Sequence, residues 1–235
     1  AASEDNVTSC ELMARQGIDF VLKHIPGAAD PLADRHDWYV LLEWSSTRAR
    51  REGANETGLR EKMETYLGEA MEQGLVVDAA IAQNEAQGRA FWALRENHSE
   101  SQKREGPSIK HDISVAVSKI PAFMKDGLAA MKQALPDCRP VPFGHVGDGN
   151  LHFNCQSPPG WDKKRFMAHG EAISGAVYDL VVGYGGSISA EHGIGRLKVD
   201  ELAHYRSKVE LDTMRAIKRA LDPQNLMNPG KIVRV

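Results

Sequence analysis

The residues best suited to chemistry in this 235-residue chain lie in the run Phe143-Gly144-His145-Val146-Gly147-Asp148-Gly149-Asn150-Leu151-His152-Phe153-Asn154. Asp148-Gly149 signals a two-residue type I′ turn, because both central positions need φ > 0. With the turn centred there, Gly147 faces Asn150, Val146 faces Leu151 and His145 faces His152. Two imidazoles then sit opposite each other on one sheet face, their Cβ atoms roughly 5 Å apart. Asn154, two residues further on, shares that face. Neutral imidazoles at this separation can grip one divalent metal ion. Such an ion can hold a hydroxyl or carboxylate oxygen and change its acidity. The bland alternative is a half-buried hairpin carrying two hydrogen-bonded histidines.

A second concentration of chemistry is Gly185-Gly186-Ser187-Ile188-Ser189-Ala190-Glu191-His192-Gly193-Ile194-Gly195. Its glycines allow another group to approach the backbone closely. A carboxylate from here would complete a His, His, Glu set around a metal and leave positions open for substrate. Adjacent residues on an extended run point opposite ways, so Glu191 and His192 are expected to do different jobs, Glu191 as ligand and His192 as base. The alternative is a glycine-rich loop with a solvated Glu-His pair. Arg95, Ser99 and Lys110 form a third set. Arg95 and Ser99 are spaced i, i+4 on a predicted helix face. A guanidinium fork, a hydroxyl and an ammonium would together suit a carboxylate, although such side chains are more often simply solvated.

Other chemistries find no support. The Gly183 to Gly186 stretch follows a helix rather than opening one and lacks the dinucleotide spacing; no phosphate-binding loop or nucleophile elbow is present. The net charge of -3 gives no reason to expect nucleic acid as a partner. No apolar run approaches the ~20 residues of a membrane span. Residues Ala1 to Asn6 lack the basic and apolar regions of a secretory signal, and three cysteines without CxxC spacing fit a reducing compartment. The expected location is cytoplasmic.

These groups must be positioned by a scaffold of ordinary composition, 42% hydrophobic and 26% charged. Thr8 and Glu11 read as a capping box opening a helix to about His24. Trp38 to Trp44 reads as a strand, and a helix is expected over 57–73, stopped by Gly74. Val76 to Gln83 is expected as a short strand, 85–102 as a helix and 109–117 as a strand. A helix with Ser118 as N-cap and Pro121 near its start runs to about Leu135. The two hairpin arms follow, then a long helix over 162–182, a short extended run over 187–191, and helices near 199–205 and 210–221. This order predicts an α+β fold, a ferredoxin-like antiparallel sheet with helices packed on one face. With no clear linker, residues 1–235 are expected to form one domain.

Five segments occur together in order: Phe91-Trp92-Ala93-Leu94-Arg95-Glu96, Lys110-His111-Asp112-Ile113-Ser114, Gly144 to His152, Ala190-Glu191-His192-Gly193-Ile194-Gly195, and Leu221-Asp222-Pro223 through Asn228-Pro229-Gly230-Lys231. With them the chain resembles the C-terminal half of the FAD-linked D-2-hydroxy acid dehydrogenases, in the D-2-hydroxyglutarate and D-lactate dehydrogenase branch of the vanillyl-alcohol oxidase superfamily. The resemblance implies a substrate and metal domain that caps the isoalloxazine of an FAD bound by a separate N-terminal domain, with residues 222–235 packing toward that domain. It implies His145, His152 and Glu191 as ligands of a divalent metal, zinc or manganese. His192 would be the base that takes the hydroxyl proton while hydride passes to the flavin. Arg95, Ser99 and Lys110 would hold a carboxylate of a small 2-hydroxy acid, with a hydrogen bond from Asn154. That family often has Thr where Ser99 stands and an aromatic residue where His111 stands. The electron acceptor is not implied, and a homodimer is left open. Two other readings compete: a self-contained zinc hydrolase, and a ferredoxin-like binding module in which the histidines are structural.

Overall fold

The computed structural model describes residues 6–46 and 58–235. Its centre is a six-stranded antiparallel sheet. The strands are β1 (Val7–Ala14), β2 (Trp38–Trp44), β3 (Ser108–Ile109), β4 (Asp112–Ser114), β5 (Arg139–His145) and β6 (Asn150–Gln156). Their order is β2-β1-β5-β6-β3, and β4 also pairs with β6 beyond the end of β3. The helices are α1 (Arg15–His24), α2 (Leu59–Glu72), α3 (Glu85–Glu96), α4 (His98–Arg104), α5 (Ile120–Ala134), α6 (Lys163–Met167), α7 (Gly170–Gly183), α8 (Val199–Tyr205) and α9 (Lys208–Leu221). The α+β antiparallel architecture read from the sequence is present. The start of the expected 57–73 helix lies outside the described residues.

The main core lies on one sheet face. Leu151, Phe153 and Cys155 of β6 point into it and meet Phe123, Met131, Ile173, Val177 and Val181 of α5 and α7. Gly127 of α5 lets the Phe153 ring in: a Cβ there would stand 2.6 Å from its Cζ. Strand residues alternate faces, so Val141, Phe143, His145, Asn150, His152 and Asn154 look the other way. That second face is also flanked by helices. A Cβ on Gly17 of α1 would collide with the His98 ring at 2.4 Å and approach Val141 at 3.3 Å, and His98 of α4 packs on Phe143 with ring centroids 5.1 Å apart. Helices therefore reach both faces, the larger core lying under α5 and α7.

Several local readings differ from the structure; the expected strand over 109–117, for one, is divided between β3 and β4 and gives way to a 3₁₀ turn at Val117–Lys119. Residues 7–14 form a strand rather than a helical turn. Thr8 donates to the Glu43 carbonyl of β2 at 3.2 Å instead of capping, and Glu11 turns inward. Residues 76–83 form no regular element. The 85–102 and 162–182 helices are each broken, at Asn97 and around Ala168-His169, where the chain changes direction.

The hairpin carries His145 and His152, and its register is shifted from that expected. β5 and β6 are joined by the four residues 146–149, so His145 faces Asn150, Gly144 faces Leu151 and Phe143 faces His152. The reason lies in Gly149 (φ +83°). Its carbonyl accepts from Val115 N at 3.1 Å, and a Cβ on it would fall 2.0 Å from the Val115 carbonyl oxygen. This glycine serves a close backbone approach to the segment after β4, not a two-residue turn. Asp148 Oδ1 accepts from Asn150 N at 2.9 Å and closes the loop. His145 and His152 still share a face because their positions remain diagonal neighbours, with ring centroids 6.3 Å apart.

Candidate functional site

β5 ends on His145, and β6 carries His152 two positions beyond the residue opposite it. The third member comes from far along the chain. After α7 the backbone turns through Gly185 and Gly186, and Ser187 bridges back to Ser114 of β4. Residues 189–192 then wrap around one side chain, Asp112. This carboxylate is 2% exposed. Its Oδ2 accepts from the backbone N–H of Ala190 (3.2 Å), Glu191 (3.0 Å) and His192 (2.8 Å). Burial pushes its pKa up, but these N–H donors and the nearby His192 and Lys198 hold it below the ordinary carboxylate range. The clasp delivers Glu191 to the paired histidines.

Glu191 Oε1 lies 3.3 Å from His145 Nε2, and Glu191 Oε2 lies 3.9 Å from His152 Nε2. One candidate ligand atom from each of the three residues falls within 4.8 Å of the others. Asn150, across from His145, donates to Glu191 Oε1 at 2.5 Å, while its own Oδ1 is buried without a partner. Two imidazole nitrogens and a carboxylate are the donor types of a borderline cation such as zinc. Burial, the largest influence, lowers the His152 pKa, with Arg95 and His192 adding to it against Glu191 and Asp112. A neutral ring is the ligating form. The residues fit the metal that the sequence resemblance implies.

His192 sits beside this trio. Its ring stacks on His152 at 5.9 Å with 27° between planes. Its Nδ1 is 3.8 Å from Asp112 Oδ2, and most of the side chain is exposed, so Nε2 is the nitrogen that can meet a solute. Asp112, His152 and His192 make a second cluster of ligand type. Its carboxylate is already committed to three backbone donors, which leaves the His145, His152, Glu191 set as the better cation site.

Arg95 reaches the same region from α3. Its Nε donates to Glu11 Oε2 at 2.8 Å, and its guanidinium lies 4.8 Å from the centroid of Phe143. That ring also packs on His152, with centroids 4.8 Å apart. Among the described residues the two Nη groups have no partner. Ser99 on α4 and Lys110 between β3 and β4 are exposed, and no described contact joins either to the histidines. Asn154 is buried, with Oδ1 accepting from His111 N at 3.3 Å and Nδ2 donating to Gln102 at 3.1 Å. In this arrangement it braces the sheet. His111 also belongs to the interior: its Nδ1 bonds the Phe153 carbonyl and its Nε2 bonds Ser174. Burial lowers its pKa to about 4, so it is neutral.

Residues 1–232 match the family described as FAD linked oxidases, C-terminal domain. The chain belongs to that family. It is 39% identical over 217 residues to a D-2-hydroxyglutarate dehydrogenase of Stutzerimonas stutzeri, covering 91% of this chain and 45% of that protein. It is 34% identical over 228 residues to the mitochondrial D-2-hydroxyglutarate dehydrogenase of Arabidopsis thaliana, covering 97% and 38%, and 30% identical over 231 residues to that of Bos taurus, covering 97% and 39%. The chain thus spans less than half the length of these relatives. Among the described residues no helix is long and apolar enough to cross a membrane.

Sequence reasoning singled out His145, His152, Glu191 and His192, which the structure brings together, but missed two residues that hold them, Glu11 and Asp112. Asp112 had a faint signal, a charged residue heading the apolar step Ile113 in a strand. Glu11 was masked by a helix-cap pattern that the fold does not use.

Proposed function

We propose that this chain is the substrate- and metal-binding domain of a flavin-dependent dehydrogenase that oxidises a D-2-hydroxy acid, of 2-hydroxyglutarate, malate or lactate type, to the 2-oxo acid. The observation that carries the reading is the meeting of His145, His152 and Glu191 with His192 at their edge and the Arg95 fork nearby. FAD, held mainly by a domain N-terminal to this one, supplies the hydride acceptor.

The chain's own residues handle a proton and an anion. An unassisted alcohol is a far weaker acid than an imidazolium, so it yields its proton to a histidine poorly. His145, His152 and Glu191 would hold a divalent ion, which would supply Lewis acidity at the substrate hydroxyl. His192 Nε2 takes the hydroxyl proton, while Asp112, 3.8 Å from Nδ1, orients the ring. The Arg95 Nη pair holds a carboxylate in bidentate fashion. Ser99 on α4 and Lys110 between β3 and β4 add to that grip, and Asn154 braces the strand beneath it through His111 and Gln102. Fixing the acid at one end and the hydroxyl at the other is the entropic part of catalysis.

The test is turnover of D-2-hydroxyglutarate, D-malate and D-lactate by the full-length protein with an artificial electron acceptor. Activity lost on chelation and restored by zinc or manganese is expected. A full-length protein with no flavin absorbance, or ester or amide hydrolysis by this chain with zinc, would contradict the reading.

A further inference from the structure

We propose that Glu11 is the positioning residue of this site, a buried carboxylate that sets the tautomer of His145 and anchors Arg95 at once. The inference rests on the metal-centre reading above and extends it to a residue outside the implied ligand set. β1 lies alongside β5 with Glu11 in register with His145. The Glu11 side chain is 4% exposed, so its charge must be answered by protein groups. Oε1 accepts from His145 Nδ1 at 2.7 Å and from Ser9 Oγ at 3.1 Å; Oε2 accepts from Arg95 Nε at 2.8 Å.

All three partners are donors. Arg95 is a donor at any accessible pH and cannot become an acceptor. The His145 ring meets a carboxylate on each side, Glu11 Oε1 from Nδ1 at 2.7 Å and Glu191 Oε1 from Nε2 at 3.3 Å, and the shorter contact, to the buried Glu11, places the proton of the neutral ring on Nδ1. Its lone pair is then on Nε2, the nitrogen 3.3 Å from Glu191 Oε1. A ligating histidine whose other nitrogen donates to a carboxylate is held in both rotation and tautomer. The same carboxylate takes only Nε of Arg95, so the flat fork stays over Phe143 with both Nη groups free for an anion. One side chain thereby links the cation half of the site to the anion half.

Replacing Glu11 by glutamine separates this role from simple packing. Glutamine offers one acceptor and one donor where two acceptors are required. Its oxygen must go to Arg95, and its amide N–H then meets His145 Nδ1. The ring answers by moving its proton to Nε2, the wrong nitrogen for ligation. The experiment is ¹⁵N–¹H correlation of the histidine rings at pH 8 in the metal-free chain, beside zinc titration by calorimetry. Wild type is expected to carry the His145 proton on Nδ1. Glu11→Gln is expected to carry it on Nε2 and to bind zinc at least tenfold more weakly, with the His152 ring signals unchanged. Glu105→Gln is the control. It removes another buried, ion-paired carboxylate, held by Lys23, His24 and Arg139, and should alter neither readout. An Nε2 proton on His145 in wild type, or an unchanged tautomer and zinc affinity in Glu11→Gln, overturns the proposal. If wild type takes no zinc, the metal-centre reading fails, while the ring signals still decide the role of Glu11. If Glu11→Gln does not fold, the wild-type proton position decides it, with Glu11→Asp as the second variant: a carboxylate keeps the Nδ1 proton.

Discussion

The Asp112 clasp makes a quantitative claim about how Glu191 reaches the histidines. In Asp112→Asn the shape is retained and the charge is lost. Three backbone N–H groups, on Ala190, Glu191 and His192, currently bond one ionised oxygen at 3.2, 3.0 and 2.8 Å. A hydrogen bond to a charged acceptor is worth about 1.5–3 kcal/mol against about 0.5–1.5 for a neutral one. Losing charge assistance therefore costs about 1 kcal/mol per bond, or about 3 kcal/mol over the loop. Most of this loosens residues 189–192, and cation binding must re-order them. If about 2 kcal/mol of it comes out of binding, zinc affinity falls by a factor of about 30. Calorimetric titration of wild type and Asp112→Asn measures the factor, and amide hydrogen exchange at 190–192 reports the loosening directly. Affinity within threefold of wild type, with unchanged exchange at Glu191 and His192, would refute the reasoning.

Other outcomes are expected on the same footing. Gly149→Ala forces a side chain into φ +83° and against the Val115 oxygen; it should cost about 2–4 kcal/mol in denaturant unfolding, and an unchanged midpoint would contradict the close approach described. His192→Ala should leave zinc affinity within about twofold while turnover of the full-length protein falls by at least 10², and equal losses of both would make His192 a ligand instead. Glu105 has its pKa raised by burial and lowered more strongly by Lys23, Arg139 and His24, to about 2 against 4.5 unperturbed. Its ionised form thus stabilises the fold above about pH 4.5, and that contribution is lost as pH falls toward 2. The stability gap between wild type and Glu105→Gln should be about 2 kcal/mol at pH 7 and nearly vanish by pH 2; a gap independent of pH would contradict the ion-pair account.

What could be read from the residues alone followed the reach of each signal. His145, His152, Glu191 and His192 were legible because a hairpin and a glycine-bracketed loop each announce themselves locally. The strand pairing was not: Gly149 looked like half of a two-residue turn, while its actual constraint is contact with Val115, more than thirty residues earlier. Glu11 was hidden for a similar reason. Thr8 and Glu11 have helix-cap spacing, yet β2 and β5 on either side draw residues 7–14 into the sheet, where tertiary pairing overrides local propensity. The long predicted helices were right in type and wrong in continuity, because the breaks at Asn97 and Ala168-His169 carry no proline or glycine at the bend itself. His98 looked idle in sequence; in the fold it is a neutral core ring, its pKa lowered by burial to about 4, seated where Gly17 leaves room.

The central claim is that two imidazoles and one carboxylate, separated by up to 46 residues of chain, surround a single cation. Anomalous scattering at the zinc edge from crystals of the zinc-loaded protein tests it most directly. One ion is expected, bound by Nε2 of His145 and of His152 at about 2.0–2.1 Å and by a Glu191 oxygen at about 2.0–2.2 Å. An ion seated among Asp112, His152 and His192 instead, or no anomalous peak near β5 and β6 at saturating zinc, would contradict the account.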